Sequence, residues 1–136
     1  MFVDADNVSY RCVEKVLRDL RCSPGRNMCV IRAYKDWSKE SDESNMFKVC
    51  GRLGIEQVQV ERVSGKNSSD IKMCIDITSL LYTSSIEEYV LLTGDSDFKH
   101  VLIEIRNRGK RSVVLHPGPR ENSSLAGCAH VYALLD

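Results

Sequence analysis

The sequence predicts an α/β fold in which a mainly parallel sheet carries helices on both faces. Three observations lead there. Short apolar runs alternate with amphipathic segments along the whole chain. Two acidic turns, Asp4-Ala5-Asp6-Asn7 and Thr93-Gly94-Asp95-Ser96-Asp97, each follow an apolar run and precede a helical pattern. At 136 residues, 43% apolar and 28% charged, the chain has the size and composition of one ordinary soluble domain with a sizeable core. We therefore read residues 1–136 as a single domain.

The elements follow in order. Residues 1–3 are an apolar strand that ends in the first acidic turn. Ser9 is placed to cap a helix with apolar positions 13, 16, 17 and 20, and Ser23-Pro24-Gly25 breaks it. Residues 28–34 are apolar and β-rich, and read as the second strand. Residues 35–44 are polar and loop-like, with Trp37 packing inside them. A short helix over 45–52 ends near Gly51 and Gly54. Residues 55–63 alternate apolar and polar, as a strand with one wetter face does. Residues 64–69 form a turn, and 70–82 predict a helix with Ile71, Cys74, Ile75 and Leu81 turned inward. Residues 89–92 are a buried strand leading into the second acidic turn. The next helix carries Phe98, Val101, Leu102 and Ile105 on one face and takes Gly109 as its C-cap. A strand over 112–116, a short helix near 123–129 and a last strand over 131–134 complete the chain.

Lysine plus arginine equals aspartate plus glutamate, 19 of each, so no global field recruits nucleic acid. Lys99, Arg106, Arg108, Lys110 and Arg111 read as a solvated helix end. The six cysteines form no CxxC pair and match no zinc spacing. Cys29, Cys50 and Cys74 fall in apolar segments and read as buried free thiols of a reducing compartment. No stretch approaches the roughly 20 apolar residues of a membrane span, and no signal-peptide pattern opens the chain. These features predict a cytoplasmic protein without membrane contact. The first strand is cut close to its start, so Met1 reads as the opening of a trimmed domain.

In a parallel α/β fold the ligand site lies at the carboxyl ends of the strands, where helices begin. Both acidic turns are there, and so is Asp70, in the first turn of its helix. Asp4, Asp70, Asp95 and Asp97 are thus expected to converge from three strand-to-helix junctions. Taken singly, each reads as well as a helix cap, and Asp97 in particular as the cap of the helix after it. Together they repel one another unless a cation sits between them. Oxygen ligands without histidine or cysteine favour Mg²⁺ or Mn²⁺. Asp76, six residues after Asp70, lies about 9 Å further along the helix. It therefore reads as a supporting group, paired with a lysine such as Lys72. His100 and His116 read as ordinary histidines.

The ordered set of motifs resembles the NYN domain family, in its LabA-like (DUF88) branch of PIN-like ribonucleases. The resemblance runs over almost the whole chain. It rests on Phe2-Val3-Asp4-Ala5-Asp6-Asn7, Arg32-Ala33-Tyr34-Lys35-Asp36-Trp37, Gly65-Lys66-Asn67-Ser68-Ser69-Asp70 with Asp76, and Thr93-Gly94-Asp95-Ser96-Asp97-Phe98. It implies a PIN-like three-layer α/β/α sandwich, a Mg²⁺ or Mn²⁺ site and RNA cleavage. Asp4, Asp70 and Asp95 would be metal ligands with Asp97 beside them. Asp6, Asn7, Thr93 and Ser96 would be positioning groups, and Lys66 would contact a phosphate. A further RNA-binding module or a protein partner is a common companion in such proteins. Ala129 stands where relatives often carry an acid, which removes the last segment from the expected ligand set.

The leading expectation is a metal-dependent ribonuclease, endonucleolytic on single-stranded or structured RNA. Two other readings compete. One is a phosphatase of the HAD type with Asp4 as nucleophile, although no second-motif Ser or Thr and no cap segment support it. The other is an inactive NYN module that binds RNA or protein.

Overall fold

The computed structural model describes residues 1–61 and 68–135. Its strands are β1 (Phe2–Asp4), β2 (Arg32–Lys35), β3 (Glu56–Gln59), β4 (Glu88–Leu92), β5 (Arg111–Pro117) and β6 (Val131–Leu135). They form one sheet in the order β3-β2-β1-β4-β5-β6, with every neighbour parallel. The helices are α1 (Tyr10–Cys22), α2 (Asn45–Leu53), α3 (Ser68–Thr83), α4 (Lys99–Asn107) and α5 (Ser123–Ala126). Single 3₁₀ turns stand at Trp37–Lys39 and Ser96–Phe98.

The strand order explains the layering. The chain steps outward from β1 to β2 to β3. Helix α3 then carries it back to the centre, where β4 lies on the other side of β1. From there β5 and β6 step outward in the opposite direction. Crossovers between parallel strands are right-handed, so reversing the direction of travel moves the helices to the other face. Helices α1 and α2 accordingly pack with Val3, Ala33, Val90 and Leu92. Helices α3, α4 and α5 pack with Phe2, Tyr34, Leu91 and Val114. This is the predicted α/β/α sandwich. The strand side chains alternate between two cores, which is why β4 reads as the unbroken apolar run Tyr89-Val90-Leu91-Leu92.

Local sequence sets the helix ends. Ser9 Oγ accepts from the Cys12 amide at 3.3 Å and starts α1, which buries Val13, Val16, Leu17 and Leu20 as the periodicity predicts. Ser44 Oγ accepts from the Phe47 amide at 3.1 Å and starts α2. Gly54 and Gly109 stop α2 and α4 with φ of 69° and 72°, a region that costs a residue with a Cβ.

Several expectations are corrected. The second strand starts at Arg32, not residue 28, because its ladder partner β1 begins with Phe2 opposite Arg32. Before that point the Met1 amine reaches the Val30 carbonyl at 2.6 Å, outside the strand ladder. Cys29 is consequently exposed, whereas Cys50 is buried and Cys74 partly so. In α3 the inward residues are Asp70, Met73, Ile77 and Leu81. Ile71 and Ile75, expected inside, are 60% and 58% exposed. The spacing 70, 73, 77, 81 is itself one helical face, and it is the face that brings an acid to the end of the sheet. The third strand is confined to Glu56–Gln59, and the short helix near the end stops at Ala126.

The two faces of α3 differ in energetic weight. Ile77→Ala is expected to cost about 2–5 kcal/mol, as a buried aliphatic truncation does, and Ile75→Ala about 0.5 kcal/mol or less. Equilibrium unfolding in urea with a common slope for both variants checks the pair.

Candidate metal centre

The strand order reverses between β1 and β4, and a crevice forms there outside their carboxyl ends. Strand β1 delivers Asp4 to this point and β4 delivers Thr93. The fully buried Thr93 hydroxyl donates to Asp4 Oδ2 at 3.2 Å and accepts from the Asp95 amide at 3.2 Å. Asn7 Nδ2 donates to the same Asp4 oxygen at 2.9 Å. On the other side of the first turn, Asp6 Oδ2 accepts from Ser69 Oγ at 2.9 Å, which ties that turn to the start of α3. Three separate stretches of chain are thereby joined by side chains drawn from the two acidic motifs and the helix start.

Asp70, Asp95 and Asp97 each offer one carboxylate oxygen, and the three atoms lie within 4.8 Å of one another. Asp70 is buried, Asp95 half-buried and Asp97 exposed, so the group opens outward from the sheet. Asp95 Oδ1 accepts from the Asp97 amide at 2.9 Å and caps the 3₁₀ turn. Capping therefore falls to Asp95, and Asp97 enters this turn through its backbone. Helix α4 begins at Lys99 with no side-chain cap.

Asp4 is buried beside this trio without being one of the three. Its Oδ2 takes two hydrogen bonds, but its buried Oδ1 has no hydrogen-bond partner among the described residues. An orphaned carboxylate oxygen in the interior costs free energy unless a proton or a cation satisfies it. Burial pushes the Asp4 carboxyl above its usual range, against the pull of Asn7 and Thr93. Asp70 is pushed further, to about 8, first by burial, then by a hydrogen bond shared with Asp95 and by the charges of Asp4, Asp95 and Asp97. The same acids reach Cys74, whose thiol is driven up to about 11, mainly by burial.

The donor set fits a hard divalent cation. It is oxygen only, it is crowded enough that Asp70 retains a proton near neutrality, and it adjoins a buried oxygen with no partner. Asp70, Asp95 and Asp97 are the groups that could hold Mg²⁺ or Mn²⁺, with Asp4 next to them. Once bound, such an ion would lower the pKa of a coordinated water and neutralise charge developing on a phosphate ester.

The remaining residues predicted from the sequence separate from this group. Asp76 accepts from Tyr34 Oη at 2.8 Å and Lys72 Nζ at 2.8 Å, with Arg32 at 3.9 Å, and is a member of a different polar cluster. Ser96 is an exposed residue of the 3₁₀ turn. Lys66 lies outside the described residues. Trp37 is buried, its indole N–H directed at the Ala33 and Val58 carbonyls, which leaves it no role as a stacking surface. Lys110 and Arg111 pair with Glu87 and Glu88, and Arg108 stacks on Tyr82, so these three are engaged elsewhere. Ala129 packs against the α3–α4 core.

Cavities lie at both ends of the sheet. A cleft of about 320 Å³ is lined by Asn7, Gly94, Asp95 and Pro117 and opens beside the acids. A larger one of about 410 Å³ lies at the opposite, amino end of the strands, against Met1, Arg26 and Glu88. There Arg26 and Arg111 already pair with Glu88, so its charges are spent on one another. The smaller cleft is the one with chemistry. His116 and Asn122 also belong to its surroundings. From the sequence His116 reads as an ordinary histidine and Asn122 carries no signal, because they come from the end of β5 and the cap of α5 and form no motif.

These features define a PIN-like α/β/α sandwich with a parallel sheet and an acidic group at its central crevice. The NYN domain model matches residues 1–135, and the chain belongs to that nuclease-like family. A solved structure of a protein of unknown function from Vibrio parahaemolyticus superposes with a TM-score of 0.79 at 19% sequence identity. It covers 99% of this chain and 90% of that one, which supports the fold. No curated protein matches the chain. Among the described residues no helix is long and apolar enough to cross a membrane.

The Asp70 shift has a readable sign. The unfolded carboxyl titrates near its model value of 3.8 and the folded one near 8. Between these values the folded state holds the proton more tightly, so stability falls as pH rises through that window. The metal-free protein is therefore expected to melt at progressively lower temperature from pH 4 to pH 8, and Asp70→Asn to flatten the slope. Thermal melts in EDTA across that range check it. A slope unchanged by Asp70→Asn would place the titrating group elsewhere.

Proposed function

We propose that the protein is a divalent-metal-dependent ribonuclease. The observation that supports this most is the trio of carboxylate oxygens from Asp70, Asp95 and Asp97 gathered at the β1–β4 crevice of an NYN fold. The substrate is RNA, single-stranded or structured, and cleavage is endonucleolytic. A water oxygen bonds to phosphorus and the 3′-oxygen leaves, giving a 5′-phosphate and a 3′-hydroxyl. Asp70, Asp95 and Asp97 hold Mg²⁺ or Mn²⁺, and Asp4 adds its charge from below. Asn7 and Thr93 orient Asp4, Asp6 anchors α3, and Ser96 shapes the turn between the two outer acids. The exposed rim at Asp97 leaves room for a phosphodiester to approach. The motif set also supports placement in the LabA-like branch, with residues 1–136 as one nuclease domain and affinity for RNA supplemented by a further RNA-binding module or a protein partner.

The burial of Asp4 weighs against the phosphatase reading. At 1% exposure and fixed by Asn7 and Thr93, its carboxylate is poorly placed to attack a phosphomonoester. Labelled RNA and a generic phosphomonoester, each incubated with Mn²⁺, Mg²⁺ or EDTA, separate the possibilities. Metal-dependent loss of RNA alone supports the nuclease. Turnover of the monoester alone would overturn it, and RNA binding without turnover would point to an inactive module.

Within the nuclease reading the acids are ranked. Asp70→Asn and Asp95→Asn each remove a metal-facing charge and are expected to lower cleavage by more than about 100-fold, equal to about 2.7 kcal/mol of barrier. Asp76→Asn disturbs only its contacts with Tyr34, Lys72 and Arg32, and is expected to cost at most about 10-fold. Single-turnover rates at saturating Mn²⁺ measure all three. An active Asp70→Asn with a dead Asp76→Asn would reverse the assignment.

A further inference from the structure

The peptide at Gly94, which delivers Asp95 to the crevice, is gripped from outside by three residues that no motif marks. Asn122 Nδ2 donates to the Gly94 carbonyl at 3.3 Å. The His116 ring lies against the Gly94 Cα, where a Cβ would come within 2.5 Å of Cδ2. Both are governed by one hydroxyl. Tyr132 Oη accepts from the Asn122 amide at 2.8 Å and is hydrogen bonded to His116 Nδ1. The His116 and Tyr132 rings meet edge-on, with centroids 5.8 Å apart and planes at 76°. Asn122 Oδ1 meanwhile accepts from the Leu125 amide at 3.3 Å and caps α5.

We propose that Tyr132, His116 and Asn122 form a clamp that positions Asp95 for metal binding, with the Tyr132 hydroxyl as its pivot. Thr93 fixes the N–H of the Gly94–Asp95 peptide from the β1 side, and the clamp fixes the carbonyl of the same peptide from the β5–β6 side. Gly94 is glycine because the clamp occupies the place of its side chain. The φ of Gly94 is not positive, so backbone freedom is not the reason. The three are positioning residues, since none of them is one of the oxygen donors. Groups that orient metal ligands in this way typically account for about 10–100-fold in metal affinity.

This inference rests on the metal-centre reading, and the test separates the two. Mn²⁺ affinity is measured by titration calorimetry for the wild type, Tyr132→Phe and Asn122→Asp. The second variant keeps an oxygen for the α5 cap but cannot donate to Gly94. Both are expected to bind Mn²⁺ about 10-fold more weakly and to recover wild-type cleavage at saturating Mn²⁺, because every acid is still present. The Tyr132→Phe melting temperature in EDTA is expected to stay near that of the wild type. Wild-type affinity in both variants would overturn the clamp, and so would lost cleavage that saturating metal does not restore. If the wild type binds no Mn²⁺, the metal-centre reading fails on its own. The clamp is then judged by amide hydrogen exchange at Asp95 and Ser96. Faster exchange in Tyr132→Phe supports it, and unchanged exchange overturns it.

Discussion

One buried hydroxyl joins the two halves of this sheet at its working end. Thr93 Oγ1 uses its proton on Asp4 and a lone pair on the Asp95 amide, so β1 and the second acidic turn share a single atom. A serine could make the same bonds. Threonine adds a stiff χ1 and a methyl group, which suit a fully buried position after β4. With that atom in place, Asp4 is held in the interior and Asp95 is turned toward α3. Asp70 meets it because the inward face of α3 starts with an acid and continues with Met73, Ile77 and Leu81. The hydrophobic seating of α3 and the position of the acid are therefore one constraint, and the helix cannot rotate to bury Ile71 or Ile75 without withdrawing Asp70.

The electrostatic arrangement opposes stability and favours ligand capture. Four carboxylates around one crevice raise the free energy of the metal-free fold, and the rise is partly relieved by a proton on Asp70. The surrounding architecture tolerates this because the rest of the molecule is well satisfied. Two apolar cores flank the sheet, and among the described residues only Asp4 Oδ1 and Tyr89 Oη are buried side-chain oxygens without a partner. Strain of this kind, concentrated where a ligand would relieve it, is a common mark of binding sites.

Much of this was legible in the sequence, and the parts that were not share a cause. The alternation of apolar runs and helical patterns identified the α/β class, and the two acidic turns announced themselves as loops between strand and helix. Helix α1 could be placed from Ser9 and four apolar positions, because cap and period are both local. The rotation of α3 could not, since Ile71, Cys74, Ile75 and Leu81 look as apolar as Met73 and Ile77. Which stripe turns inward depends on a sheet edge assembled from distant strands. The start of β2 was misplaced for a similar reason, as its length is set by β1 and not by its own β-propensity. In the crevice, the aspartates were visible because each sits in a motif. His116 reads as an ordinary histidine, and Asn122 and Tyr132 stand in no motif, because only the β5–β6 pairing and the α5 cap bring the three to Gly94.

The route of α3 has a kinetic consequence. The outer strands β2 and β3 add to β1 in sequence, but the seam between β1 and β4 joins Phe2 to Leu91 across most of the chain. Closing so long a loop is entropically costly, and contacts of this separation slow the folding of parallel sheets. The crevice lies on that seam, and its acids arrive from β1, from α3 and from the turn after β4. A nascent chain that has made β1 through β3 holds Asp4 but neither Asp70 nor Asp95 in register with it. The full acidic group is therefore assembled only once the β1–β4 seam has closed, so the site and the slowest pairing of the sheet are completed together.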